Sequence, residues 1–182
     1  SLAAKNNQPR TINLAHSSLK AYYHGFLKRN FFTRLPRTKN NKILPTVMDR
    51  AEIRRMIECS TNLKHRLLLE LLYSTGMRVS EAISIKVLDI ENDIIRVRQG
   101  KGKKDRLTIL SEKLKLTIDS YLKIRLVNSQ YIFDSRKGHL SRRTAELIVK
   151  IAAQKANVSR RVYCHAFRAS FATHLLENSV GI

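Results

Sequence analysis

His165 and Arg168 stand three residues apart in "CHAFRASFATHLL", Cys164 to Leu176. At about 100° per residue, a helix puts His165, Arg168, Ala169 and Ala172 on one face. That face carries two hydrogen-bond donors and little bulk, so a large anionic ligand can come close. Phe167, Phe171 and Leu175 fall on the other side and are expected in the core. A half-buried histidine beside a salt-bridging arginine is the structural alternative for this helix alone. Two other stretches offer cations. Arg78 follows the helix-ending Gly76 in "STGMRVSE", with Glu81 one helical turn later, and Lys101 sits in the glycine-bearing turn "GKGKKDR". That turn lacks Walker A spacing and a following Ser or Thr, which argues against a nucleotide site.

The elements that must hold these residues are legible in outline. "DRAE" opens a helix in which Asp49 can cap and Glu52 can complete a capping box. "LKHRLLLELLYSTG" is an apolar helix, buried, that stops at Gly76. "MRVSEAISI" starts a short helix directly after it. "DIIRVRQ" alternates as a strand, and "RLTIL" returns as its partner after the glycine turn. "SEKLKLTIDSYLKIR" is an amphipathic helix capped by Ser111, and "SRRTAELIVKIAAQKAN" another capped by Ser141. "YIF" is too short to assign. The spacing predicts a mostly helical domain with one small antiparallel β-hairpin.

Before Asp49 the chain has no acidic residue. There "TINLAHSSLKAYYHGFLKRN" has helical spacing, with Leu19, Tyr22, Tyr23, Phe26 and Leu27 on one side. "RLPRTKNNKILP" then brings two prolines and no periodicity, as a linker does. The expected division is a helical piece at residues 1–38, a linker at 39–45 and the main domain at 46–182.

Composition narrows the partner. The 182 residues hold 35 Lys and Arg against 14 Asp and Glu, a formal net charge of +21. Such self-repulsion makes sense beside a polyanion. No apolar run approaches the ~18 residues of a spanning helix, so no membrane partner is expected. Cys59 and Cys164 form no C-x-x-C pair, so neither zinc nor a disulfide framework is indicated and a reduced, cytoplasmic setting fits. The opening "SLAAKNNQPR" lacks a signal-peptide core and reads like the inside of a longer protein.

Taken together, the motifs resemble the tyrosine recombinase family, the phage integrase and Xer-type DNA breaking-rejoining enzymes. "LLYSTGMRVSEAISIKVLDI" is similar to the family's first arginine motif, "GKGKKDRLTIL" to its lysine hairpin and "HAFRASFATHLL" to its HxxR helix. The resemblance implies the family's catalytic fold over residues 46–182 and makes residues 1–38 the end of a helical core-binding domain. It assigns Arg78, Lys101, His165 and Arg168 to catalysis and Glu81 to support. With the charge excess, Arg37, Lys39, Lys42, Lys103, Lys104 and Arg106 are the candidate DNA contacts. Partners implied are double-stranded DNA and further copies of the chain, from dimer to tetramer, on it.

The implied chemistry is site-specific recombination by strand cleavage and rejoining. A tyrosine attacks the scissile phosphate, a 3′-phosphotyrosyl link forms and a 5′-hydroxyl leaves. Two guanidiniums suit the charged pentacoordinate state. Lys101 would protonate the leaving oxygen, and His165 would assist proton transfer. No metal or nucleotide cofactor is expected, because the covalent bond conserves the phosphodiester energy.

Two departures from the family pattern stand out. The residue after the second arginine is commonly His and here is Ala169. The family continues to a His or Trp motif and a nucleophilic tyrosine, whereas this chain ends at Ile182. None of Tyr22, Tyr23, Tyr73, Tyr121, Tyr131 and Tyr163 sits in the nucleophile's context; Tyr163, beside His165, lies at a helix start without reach to the phosphate. As it stands the chain is therefore expected to bind DNA and not to cleave alone. The alternatives are a non-catalytic DNA-binding relative and a type IB topoisomerase.

Overall fold

A computed structural model describes residues 8–30, 37–39, 46–98, 105–125, 127–136 and 138–180. The chain divides into two compact units, residues 1–44 and residues 45–182.

In the first unit, helix α1 (Pro9–Lys20) begins at a proline, whose missing N–H costs nothing there. It runs into one wider turn, Ala21–Phe26, where the Leu27 N–H reaches back five residues to the Tyr22 carbonyl at 3.1 Å. The helix expected over 11–30 is thus shorter and changes pitch before it ends. Tyr22 stacks on Phe26, with ring centroids 5.8 Å apart, and no residue of either segment is buried.

The second unit is built around helix α3 (Leu63–Thr75). Leu67 to Leu72 are all buried, as an all-round apolar helix requires. The Asn62 side chain accepts the His65 N–H at its start, and Gly76 ends it in the left-handed region at φ +56°. Helices α2 (Arg50–Glu58), α5 (Glu112–Ile124), α6 (Arg142–Lys155) and α7 (Cys164–Val180) pack around it, with the short α4 (Val79–Ile83) following directly. The expected caps are in place. Ser111 accepts from Leu114 N–H at 3.4 Å, Ser141 from Thr144 N–H at 3.1 Å, and Glu52 from the Asp49 N–H at 2.9 Å.

Strands β1 (Ile90–Glu91), β2 (Ile94–Val97) and β3 (Arg106–Ile109) form an antiparallel sheet in that order. The expected hairpin therefore gains a third strand. A second small hairpin, β4 (Asp134–Ser135) with β5 (Gly138–His139), was not expected. Strands of two residues carry too little alternation to register in a sequence. The unassigned "YIF" leads into it, with Ile132 and Phe133 in the core.

On α7 one expectation is corrected. Leu175 is 53% exposed and Phe171 only half-buried, whereas Phe167, Ser170 and His174 face the core. Two polar residues can occupy that stripe because each is satisfied. The Ser170 hydroxyl accepts the Met48 N–H and donates to the Ala166 carbonyl, both at 2.8 Å. His174 Nδ1 lies 2.9 Å from the Tyr73 hydroxyl. Phe171 instead lies over Gly76, where a Cβ would collide with its ring.

Candidate active site

Three turns of backbone bring the cations together. Gly76 halts α3 and exposes its carbonyl, which accepts Arg168 Nη1 from α7. Two residues on, Arg78 is the extended N-cap of α4, at φ −69° and ψ 147°. Glu81, at the third position of α4, returns to the cap: its Oε2 accepts the Arg78 N–H and its Oε1 accepts Arg78 Nη1, both at 2.9 Å. The three-residue spacing of Arg78 and Glu81 is therefore a capping arrangement that also aims a guanidinium.

Arg106 reaches the same carboxylate from β3. Its Nη1 donates to Glu81 Oε1 at 3.0 Å and its Nη2 to Oε2 at 2.6 Å. The sheet register explains why it points inward. Arg106 sits opposite Val97 and Thr108 opposite Ile95; both β2 partners are buried, so Leu107 and Ile109 are left exposed. Sequence reasoning placed Arg106 among the DNA contacts; in the structure its Nη1 and Nη2 both donate to Glu81.

The electrostatics follow from this crowding. Burial pushes the Glu81 carboxyl upward, but hydrogen bonds from Arg106 and Arg78 outweigh it and hold the group at about 2. Glu81 in turn raises Arg106. Arg168 moves the other way: burial lowers it first, then the neighbouring charges of Arg78 and Arg106. Three guanidiniums face one carboxylate, which leaves two positive charges without a counterion among them. Such a cluster is stable once an anion completes it.

A depressed carboxyl ties stability to pH with a definite sign. Glu81 contributes fully above its ordinary value of 4.5, and the contribution is lost as pH falls toward about 2. Glu81→Gln should therefore lose less stability than the parent chain on acidification across that window. Denaturant unfolding of both proteins at several acidic pH values checks this; parallel losses would mean that Glu81 is not held low.

His165 is exposed at the first turn of α7 and makes no hydrogen bond among the described residues. Ala169 and Ala172 continue its face without bulk, half-buried and exposed respectively. The start of α7 is fixed from α6, where Glu146 accepts the Cys164 N–H at 3.1 Å. Burial, with Glu146 beside it, pushes the Cys164 thiol up, so it stays protonated. Tyr163 is exposed, its ring 5.1 Å below the Arg161 guanidinium. It lines a cavity of about 550 Å³ with Arg143, Leu147 and Lys150, whose walls include none of the clustered arginines.

The structure thus gathers Arg78, Glu81 and Arg168 and adds Arg106. Arg37 and Lys39 are exposed in the first unit. Lys42, Lys101, Lys103 and Lys104 lie outside the described residues.

Residues 46–182 match the phage integrase family. The tyrosine recombinase XerA of Pyrococcus horikoshii is 37% identical over 95% of this chain and 62% of its own length. Its namesake from Pyrococcus furiosus is 38% identical over 100% of this chain and 65% of its own length. A crystal structure of XerA recombinase superposes with a TM-score of 0.69 at 29% identity, covering 97% of this chain and 65% of the other. A lambda integrase (residues 75–356) bound to DNA shares the fold, with a TM-score of 0.76 at 19% identity over 97% of this chain and 68% of that one. The chain spans less than two-thirds of the length of the two XerA recombinases it matches. With the matched region covering most of its residues, the chain belongs to the phage integrase family.

Proposed function

We propose that this chain supplies the phosphate-holding machinery of a tyrosine recombinase acting on duplex DNA. The observation that carries this is the uncompensated guanidinium cluster on the Glu81 carboxylate, with His165 on the same open helix face as Arg168. In this reading Arg78 and Arg168 hold the non-bridging oxygens of one phosphate. Their hydrogen bonds strengthen as negative charge accumulates in the pentacoordinate state. A tyrosine oxygen bonds to phosphorus while the bond to the 5′-oxygen breaks. The tyrosine's proton leaves with help from His165, and Lys101 supplies the proton that the 5′-oxygen takes up.

Glu81 does not act as a base here. All its acceptor positions are occupied, and it is ionised far below neutral pH. The similarity to XerA recombinases supports recombination over relaxation of supercoils as the outcome. A dimer of lambda integrase on a COC′ core site provides the precedent, in fold, for assembly of several copies on DNA. Residues 1–38 would then belong to a helical DNA-embracing piece, joined by residues 39–45 to the catalytic domain. Arg37, Lys39, Lys42, Lys103 and Lys104 would lie along the backbone, in a cytoplasmic, DNA-associated protein.

A +21 charge used in this way has a direct signature. Duplex affinity should fall by about three orders of magnitude between about 50 and 200 mM salt if some six phosphates are neutralised. Fluorescence anisotropy on a labelled duplex measures the slope. Affinity that barely changes over that range would contradict a phosphate-tracking surface.

A further inference from the structure

Arg106 is the one member of the cluster whose role the motif spacing does not suggest. It lies on the inner face of the sheet, where the β2–β3 register opposes it to buried Val97. A cation forced inward needs a partner, and Glu81 is that partner through two parallel bonds of 3.0 and 2.6 Å. The Glu81 side chain is only 7% exposed. Its carboxylate offers about four acceptor directions. Arg106 takes two of them, the Arg78 backbone N–H a third, and a single Arg78 guanidinium nitrogen the fourth.

We propose that Arg106 is a positioning residue that occupies Glu81 so that the Arg78 guanidinium stays available to the DNA phosphate. A buried carboxylate with one arginine nearby draws that arginine into a two-point clasp. With Arg106 present, the clasp is already filled from β3. Arg78 is then held by its backbone and one nitrogen, and the remaining edge of its fork can face the ligand. Without Arg106, two acceptor directions open on Glu81 and Arg78 closes onto them, away from the phosphate. Arg106 thus acts on substrate through Glu81 and Arg78 rather than by touching DNA. This rests on the assignment of Arg78 to a DNA phosphate.

The test is a set of duplex-binding measurements by anisotropy at one salt concentration, on Arg106→Ala alone and in Glu81→Gln and Arg78→Ala backgrounds. Thermal unfolding of each variant is measured in parallel. Arg106→Ala should weaken binding about tenfold, the scale of one lost phosphate contact. In either background its effect should shrink to about twofold or less, because the carboxylate that captures Arg78, or Arg78 itself, is gone. Arg106→Lys, which keeps the charge without the fork, should recover part of the affinity. If Arg106→Ala does not fold, Arg106→Gln takes its place in the same comparison.

An equal loss in all three backgrounds would show that Arg106 itself contacts DNA and would overturn the proposal. A loss that persists in Arg78→Ala, vanishes in Glu81→Gln and tracks a lowered melting temperature would show a structural tether only, and overturn it too. No loss from Arg106→Ala would do the same. Should Arg78→Ala leave affinity untouched, the phosphate assignment itself falls and takes this inference with it.

Discussion

Arg168→Ala should slow DNA strand cleavage about a hundredfold or more while leaving the fold nearly intact, when assayed with the family's tyrosine segment present. The two halves of that expectation have separate causes. Arg168 is half-buried and reaches Gly76 from the open face of α7, so its loss opens no core cavity. Its removal also relieves repulsion from Arg78 and Arg106, which offsets the lost bond to the Gly76 carbonyl. The transition state, by contrast, loses a charged donor aimed at oxygens that gain charge. Phe167→Ala is the matched control: it truncates a fully buried ring and should cost about 3–5 kcal/mol of stability. Melting temperatures and single-turnover cleavage, measured on both variants, separate the two effects. An Arg168→Ala protein that unfolds, beside a stable Phe167→Ala, would invert the face assignment.

The second large effect is on Gly76. Alanine there meets two penalties at once. The backbone sits at φ +56°, which costs an L-residue about 1 kcal/mol or more, and its Cβ would overlap the Phe171 ring. Overpacking of that kind adds about 1–3 kcal/mol. Gly76→Ala should therefore destabilise the second unit by about 2–4 kcal/mol, measured by denaturant unfolding. The cost has a functional side as well, since the Gly76 carbonyl anchors Arg168 and the turn it makes delivers Arg78 to the start of α4. Adding Phe171→Ala should recover the steric part and leave the backbone part. If the double variant is no more stable than Gly76→Ala, the ring is not the obstacle.

These residues also show where the sequence was legible. Glycine at a helix end, serine at a helix start and an unbroken apolar helix each have one strong structural meaning, so α3, α5 and α6 could be placed from local chemistry. The His165–Arg168 face was readable for the same reason, because helical spacing alone puts the two together. The core stripe of α7 was not. Its residues at 170 and 174 are polar, and each has a partner far along the chain, Met48 for Ser170 and Tyr73 for His174, that offsets its burial. Nor was the role of Arg106 readable. The alternation in "RLTIL" invites Leu107 and Ile109 inward, yet the register turns them out and Arg106 in. The reason is an acidic group 25 residues earlier, on a different element. Patterns local to one helix or turn carried over; preferences decided by a distant partner did not.

The central claim is that Arg78 and Arg168 together hold a backbone phosphate of duplex DNA. A crystal structure of the chain with a duplex tests it most directly. The account predicts one phosphate within about 2.7–3.0 Å of guanidinium nitrogens from both residues, with His165 beside it and Glu81 still clasped by Arg106. DNA bound across another face, with no phosphate between the two arginines, would contradict it.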